Sequence, residues 1–115
     1  MLSIDSSVEI NVVLGYTDMR KGAQKLSLLV SKKNIKSEKT NLFVFRGRRS
    51  DRIKILWWDG QGYCMYSKCL EKGKFTWPSS SEVFSIGITK GQLSMLIEGI
   101  DWRTPKWSSA PEYVG

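Results

Sequence analysis

Between residues 46 and 54 the chain reads RGRRSDRIK, and five of these nine side chains are cationic: Arg46, Arg48, Arg49, Arg52 and Lys54. Guanidinium forks match the oxygens of a phosphate, and each phosphate they neutralise releases counterions, so this density of charge suits a polyanion clamp. On a hairpin whose loop is 47 to 51, Arg46 and Arg52 would face each other across the strands, where like charges repel unless an anion sits between them. The competing reading is a solvated loop tip with Asp51 as its local partner. Trp58 and Tyr63 fall on the same parity as Arg46, Arg52 and Lys54, so rings and cations interleave as on a base-stacking platform. Those rings serve equally as core if a helix or the tail covers them. Arg20 and Lys21, in TDMRKG, add two cations at the start of an expected helix, where the macrodipole disfavours positive charge and a bound anion would relieve it. Neutralisation of Arg20 by Asp18, or by a carboxylate across the fold, is the plainer alternative.

Other chemistries lack their side chains. There is no histidine, which removes the usual general base and the commonest zinc ligand. Cys64 and Cys69 are the only cysteines. On one strand they would lie on opposite faces roughly 16 Å apart, so they are expected as buried thiols rather than a disulfide. The eleven carboxylates are scattered without an Asp-x-Asp or Glu-rich pattern, which leaves a metal-dependent nuclease the weakest of the functional readings. Neither a metal site nor a cofactor is expected.

The elements that must position the cations can be read from periodicity. VEINVVL (8 to 14) alternates as a half-buried strand, and Gly15 breaks it. Met19, Ala23, Leu26, Leu29 and Val30 have helical spacing, predicting a helix over about 18 to 33. A charged loop, KKNIKSEKTN, follows. From about 42 to 77 short apolar runs alternate with the turn signals GRRSD, DGQG and EKG, the mark of an antiparallel meander. Parity assigns Phe43, Phe45, Ile53, Ile55, Trp57, Cys64, Tyr66, Leu70, Phe75 and Trp77 to a core face. The other face takes Leu42, Val44, Leu56 and Met65 together with Arg46, Arg52, Lys54, Trp58 and Tyr63. Asp59-Gly60-Gln61-Gly62 lacks the lysine and following helix of a phosphate loop and reads as a hairpin turn. An extended segment is expected around Val83 to Ile88. A second helix over about 89 to 99 has a capping box in Thr89 and Gln92, the apolar stripe Leu93, Leu96, Ile97 and Ile100, and Gly99 at its end. The tail, 101 to 115, has no period and carries Trp102 and Trp107, expected exposed and available to a partner. The expected fold is one α+β domain over 1 to 115, an antiparallel meander of 4 to 6 strands with both helices on one face.

A net charge of +7 over 115 residues favours an acidic partner, nucleic acid before membrane. With no apolar run near the ~20 residues of a membrane span, and an N-terminus unlike a signal peptide, the chain is expected to be cytoplasmic and not membrane-bound.

Taken in order, TDMRKG, LFVFRGRRSDRIKILWWDGQGYCMYSKCLEKGKFTWP and ITKGQLSMLIEGIDWR resemble the TnpB accessory proteins, the second-reading-frame products of the bacterial insertion sequence 66 family. These are distinct from the larger RNA-guided nuclease of the same name. The resemblance covers essentially the whole chain, departing from the family pattern at Ser50, where glycine is expected, and in the lysine-rich loop 32 to 39. It implies a small protein encoded beside a DDE transposase and needed for efficient transposition, and it carries over no catalytic residues. Two readings follow. The first is a non-enzymatic factor binding DNA, at element ends or non-specifically, through Arg46, Arg48, Arg49, Arg52 and Lys54, extended by Arg20 and Lys21, with Trp58 and Tyr63 as stacking residues. The alternative is an assembly module docking on the transposase through Trp102 and Trp107, with the second, mixed face of the meander as interface core.

Overall fold

A computed structural model describes residues 7–32, 41–79 and 83–103. The elements are β1 (Glu9–Tyr16), α1 (Ala23–Lys32), β2 (Asn41–Arg46), β3 (Arg52–Trp58), β4 (Tyr63–Cys69), β5 (Ser85–Ile88) and α2 (Lys90–Ile97). The strands form one sheet in the order β4-β3-β2-β1-β5. β2, β3 and β4 are the expected antiparallel meander, and β5 runs antiparallel to β1. β1 and β2 are parallel, as a strand-helix-strand connection through α1 allows. The fold is α+β with a largely antiparallel mixed sheet. Among the described residues no helix is long and apolar enough to cross a membrane.

The helices do not share a face. Leu93, Leu96 and Ile97 of α2 pack with Ile10, Val12, Leu42, Val44, Ile53 and Ile55, while Leu26 and Val30 of α1 pack with Val13, Phe43, Phe45 and Leu56. The expectation of both helices on one side is corrected, and the cause is visible in β2. Residues Asn41 to Phe45 are all buried, and a continuous apolar run is what a strand covered on both faces requires. Each fully buried branched or aromatic side chain here contributes about 1.5–3 kcal/mol before entropy is subtracted.

A register correction goes with this. Arg46 pairs with Ile53, Phe45 with Lys54 and Val44 with Ile55, one residue away from the pairing in which Arg46 opposes Arg52. Because side chains alternate, that single step moves every β2 residue to the other face. Phe43 and Phe45 therefore lie under α1, and Leu42 and Val44 under α2. Arg46 and Arg52 point to opposite sides of the sheet, and no repulsive pair forms between them.

The helix ends follow local chemistry. Thr89 Oγ1 accepts from Gln92 N at 3.0 Å while Gln92 Oε1 accepts from Thr89 N at 2.9 Å, closing the capping box. Gly99 adopts φ +79°, and Ile100 N donates back to Met95 O at 2.8 Å, ending α2 in the left-handed turn that glycine favours. Ile100, counted in the stripe, is exposed. Lys68 Nζ donates to Ile97 O at 2.8 Å, placing a cation at the negative end of α2. Helix α1 starts at Ala23 rather than at 18, so Arg20 and Lys21 lie in the preceding turn, where Lys21 N donates to Asp18 O at 3.1 Å.

Candidate nucleic-acid interface

The chain leaves β2 through Gly47, Arg48, Arg49, Ser50 and Asp51. This tip is fixed from below. Ser50 O accepts from Phe75 N at 2.9 Å and from Trp77 Nε1 at 3.2 Å, and Asp51 O accepts from Leu70 N at 2.8 Å. Ser50 takes φ +67°, the left-handed backbone that glycine occupies without cost. The glycine expected at this position is thus explained, and serine is held there by a bond in which its Oγ accepts from Arg46 Nη2 at 2.9 Å.

Beside the tip lies the turn between β1 and α1. Thr17 N donates to Arg46 O at 2.8 Å, and a Cβ on Gly47 would come within 2.7 Å of Met19 Cγ, so glycine permits this close approach. Between the two loops is a hollow of about 560 Å³ lined by Tyr16, Thr17, Asp18, Met19, Gly47, Arg48, Arg49, Asp51 and Arg52. Arg48, Arg49 and Arg52 are exposed, and the ion pairs among the described residues, Arg20–Asp18 and Arg103–Asp101, include none of the three. Asp51 sits in the same lining with Oδ1 buried and unpartnered, offsetting one of the three charges. Asp18 is already engaged, since Arg20 Nη2 lies 2.9 Å from its Oδ2 and Arg20 N donates to its Oδ1 at 2.9 Å. Those bonds hold the Asp18 carboxyl well below the usual carboxylate range. The local neutralisation of Arg20 foreseen as the plainer alternative is the arrangement found.

Arg46 belongs to a different environment. Its guanidinium carbon lies 5.0 Å from the centre of the Tyr16 ring and 5.2 Å from that of Trp77, within cation–π reach of both. Burial pushes its pKa below the ordinary arginine value, and Nε is buried without an acceptor. It lines a second hollow of about 430 Å³ with Leu14, Gly15, Tyr16, Ser50, Lys74, Phe75, Trp77, Pro78 and Ser79.

The remaining candidates are placed elsewhere. Lys54 Nζ donates to Lys21 O at 2.9 Å, tying β3 to the turn before α1, and Lys21 is half-buried. Trp58 and Tyr63 meet edge to face at 5.0 Å across the far end of the β3–β4 hairpin, away from the tip. Trp102, expected exposed, is 4% accessible and donates from Nε1 to Thr76 O at 2.8 Å; its ring completes the α2-side core. Trp107 lies outside the described residues. The cysteines do lie on opposite faces of β4, opposite Trp57 and Arg52, but they are not buried thiols: Cys69 is exposed and Cys64 half-exposed. Cys64 Sγ donates to Asp59 Oδ2 at 3.3 Å, which raises its thiol pKa.

Sequence reasoning missed Tyr16 and the pairing of Trp77 with Arg46. The signal was present in part, since Tyr16 follows Gly15 at the point where the strand alternation stops. There the pairing of β1 with β2 steps from Val12–Val44 to Tyr16–Arg46, which puts two extra residues into β1. Such a bulge re-aims a side chain.

A family model described as "IS66 Orf2 like protein" matches residues 8–107. The chain belongs to the IS66 Orf2-like family. Within reach of it, "Uncharacterized protein y4hO" of Sinorhizobium fredii (strain NBRC 101917 / NGR234) is 43% identical over 116 residues, covering all of both chains. "Uncharacterized protein y4jC" of the same strain is 31% identical over 107 residues, 92% of this chain and 91% of that one. No solved structure matches. IS66 Orf2-like membership bears out the resemblance drawn from the RGRR, WWDGQG and W-P blocks and makes this an accessory protein of an insertion sequence.

Proposed function

We propose that this IS66 Orf2-like protein is a non-catalytic accessory factor of transposition that binds DNA through the arginine hollow. The observation that carries the reading is the set of three exposed arginines, Arg48, Arg49 and Arg52, outside any ion pair among the described residues, around a concave surface on a tip whose backbone is hydrogen-bonded to the 70–77 segment. Unpaired guanidinium groups at such a place gain from phosphate what they do not gain from the protein. Arg46 supports the hollow from behind, its charge directed at rings and at Ser50. The contribution of Arg20 is reduced by Asp18, and Lys54 is committed to a backbone carbonyl.

The test is binding of duplex DNA, both element ends and random sequence, across a salt series. Each phosphate neutralised on duplex lowers the logarithmic salt slope by about 0.9, so three arginines predict a slope of about −2 to −3. Absent or salt-insensitive binding overturns the reading. Docking on the DDE transposase was tied to exposed tryptophans, and Trp102 is buried. Co-purification with the transposase that survives Arg48→Glu with Arg49→Glu, in a protein that binds no DNA, would favour docking instead.

A further inference from the structure

Tyr16 is the ring that the two hollows share. It lines the arginine hollow on one side and the hollow of Arg46, Lys74 and Trp77 on the other. It is 62% exposed, carried outward by the bulge at the end of β1, and has only Gly15 before it. The Arg46 guanidinium lies over the Tyr16 ring at 5.0 Å and over the Trp77 ring at 5.2 Å. With 62% of Tyr16 still exposed, the ring has open surface for one more planar group.

Resting on the DNA-binding reading above, we infer that Tyr16 is a stacking platform for an unpaired DNA base, with phosphates on one side of that nucleotide held by Arg48, Arg49 and Arg52 and on the other by Lys74. The substrate class is single-stranded DNA, or a duplex end or junction that offers an unpaired nucleotide. In continuous duplex the base faces are covered by their neighbours, and an isolated ring between two cationic hollows has nothing to stack on. Every base has a π face, so the contact is tolerant of sequence, while the flanking cations add salt dependence. A guanidinium beneath the ring keeps it from rotating away, which reduces what must be ordered when the base arrives.

The experiment compares an oligothymidylate with a duplex of equal phosphate number by fluorescence anisotropy at one salt concentration, using the full chain. Tyr16→Ala is expected to weaken oligothymidylate binding about 5- to 100-fold, the range of a single base–aromatic stack, and duplex binding far less. Tyr16→Phe, which keeps the ring, is expected to retain most of the affinity. As a readout independent of any variant, 2-aminopurine within the oligonucleotide should lose fluorescence when the unaltered protein binds, because stacking quenches it. Equal losses on both probes, no loss on either, or unquenched 2-aminopurine overturn the inference while salt-dependent duplex binding leaves the DNA-binding reading standing. Failure of the unaltered protein to bind either probe overturns both.

Discussion

The two ends of the central sheet use similar side chains to opposite effect. At the β3–β4 turn the polar groups are closed on one another. Asp59 Oδ1 accepts from Gln61 N at 2.9 Å and Gly62 N at 3.0 Å, Gly60 takes φ +104°, and Trp58 meets Tyr63 edge to face. About 20 Å away, at the other end of β3, the backbone is equally well anchored but Arg48, Arg49 and Arg52 stand in no ion pair among the described residues. A turn that satisfies its own side chains is built for stability. The other anchors its backbone and leaves Arg48, Arg49 and Arg52 exposed, with Asp51 in the same lining. The arginines and the two tryptophans that follow them are continuous in sequence, yet they stand at opposite ends of β3.

The comparison can be broken by substitutions at each end and in the core between them. The largest expected effect is in the core: Leu96→Ala, at a fully buried position under α2, should cost about 2–5 kcal/mol in denaturant unfolding, with the DNA affinity of the folded fraction unchanged. Next, Arg48→Glu with Arg49→Glu should lower duplex affinity about 10- to 100-fold near physiological salt and make the salt slope shallower by about 2, with little effect on unfolding. Trp58→Ala should reverse that pattern, lowering stability and leaving the slope intact; equal losses of affinity from the two ends would erase the distinction. Smaller still, Ser50→Ala keeps the left-handed backbone and loses the bond from Arg46, for an expected cost of about 1–2 kcal/mol. Ser50→Gly trades that bond for backbone relief and should stay within about 1 kcal/mol of the parent.

The smallest effect is a pH dependence at the closed turn. Backbone donors from Gln61 and then Gly62 lower the Asp59 pKa. A group whose folded pKa is depressed stabilises fully above its unfolded pKa, about 3.9, and loses that contribution as pH falls through the folded value. Melting temperature should therefore fall more steeply below about pH 4 in the parent than in Asp59→Asn, which keeps the acceptor but cannot titrate. Parallel melting curves for the two would show that the turn's charge contributes nothing.

What could be read from sequence was whatever local chemistry decides. The Thr89–Gln92 box, Gly99 and the Asp59-Gly60 turn depend on neighbours a few residues apart and stand as expected, whereas β1 departs from its half-buried alternation, since Val13 is buried under α1 and the strand continues through Gly15 to Tyr16. The register between β2 and β3 was not legible because LFVF is apolar at both parities. When both faces of a strand are buried, its pattern no longer says which side is which. The same four residues did carry the information that helices cover both faces. The arginine tip was legible as composition, but not the separation of Arg46 from Arg52, which follows from that register. Trp102 looked free because its partner, the carbonyl of Thr76, is contributed by a segment 26 residues earlier with no periodic signal.

The anchoring of Ser50 and Asp51 to the 70–77 segment also bears on how the tip meets proteases. Arg48, Arg49 and Arg52 are trypsin sites by sequence, yet a protease must draw several residues into its own extended groove before it can cut. Here that means parting Ser50 from Phe75 and Trp77, and Asp51 from Leu70. Cleavage at the tip is thus expected to require release of the 70–77 segment from Ser50 and Asp51 as well as exposure of the arginines.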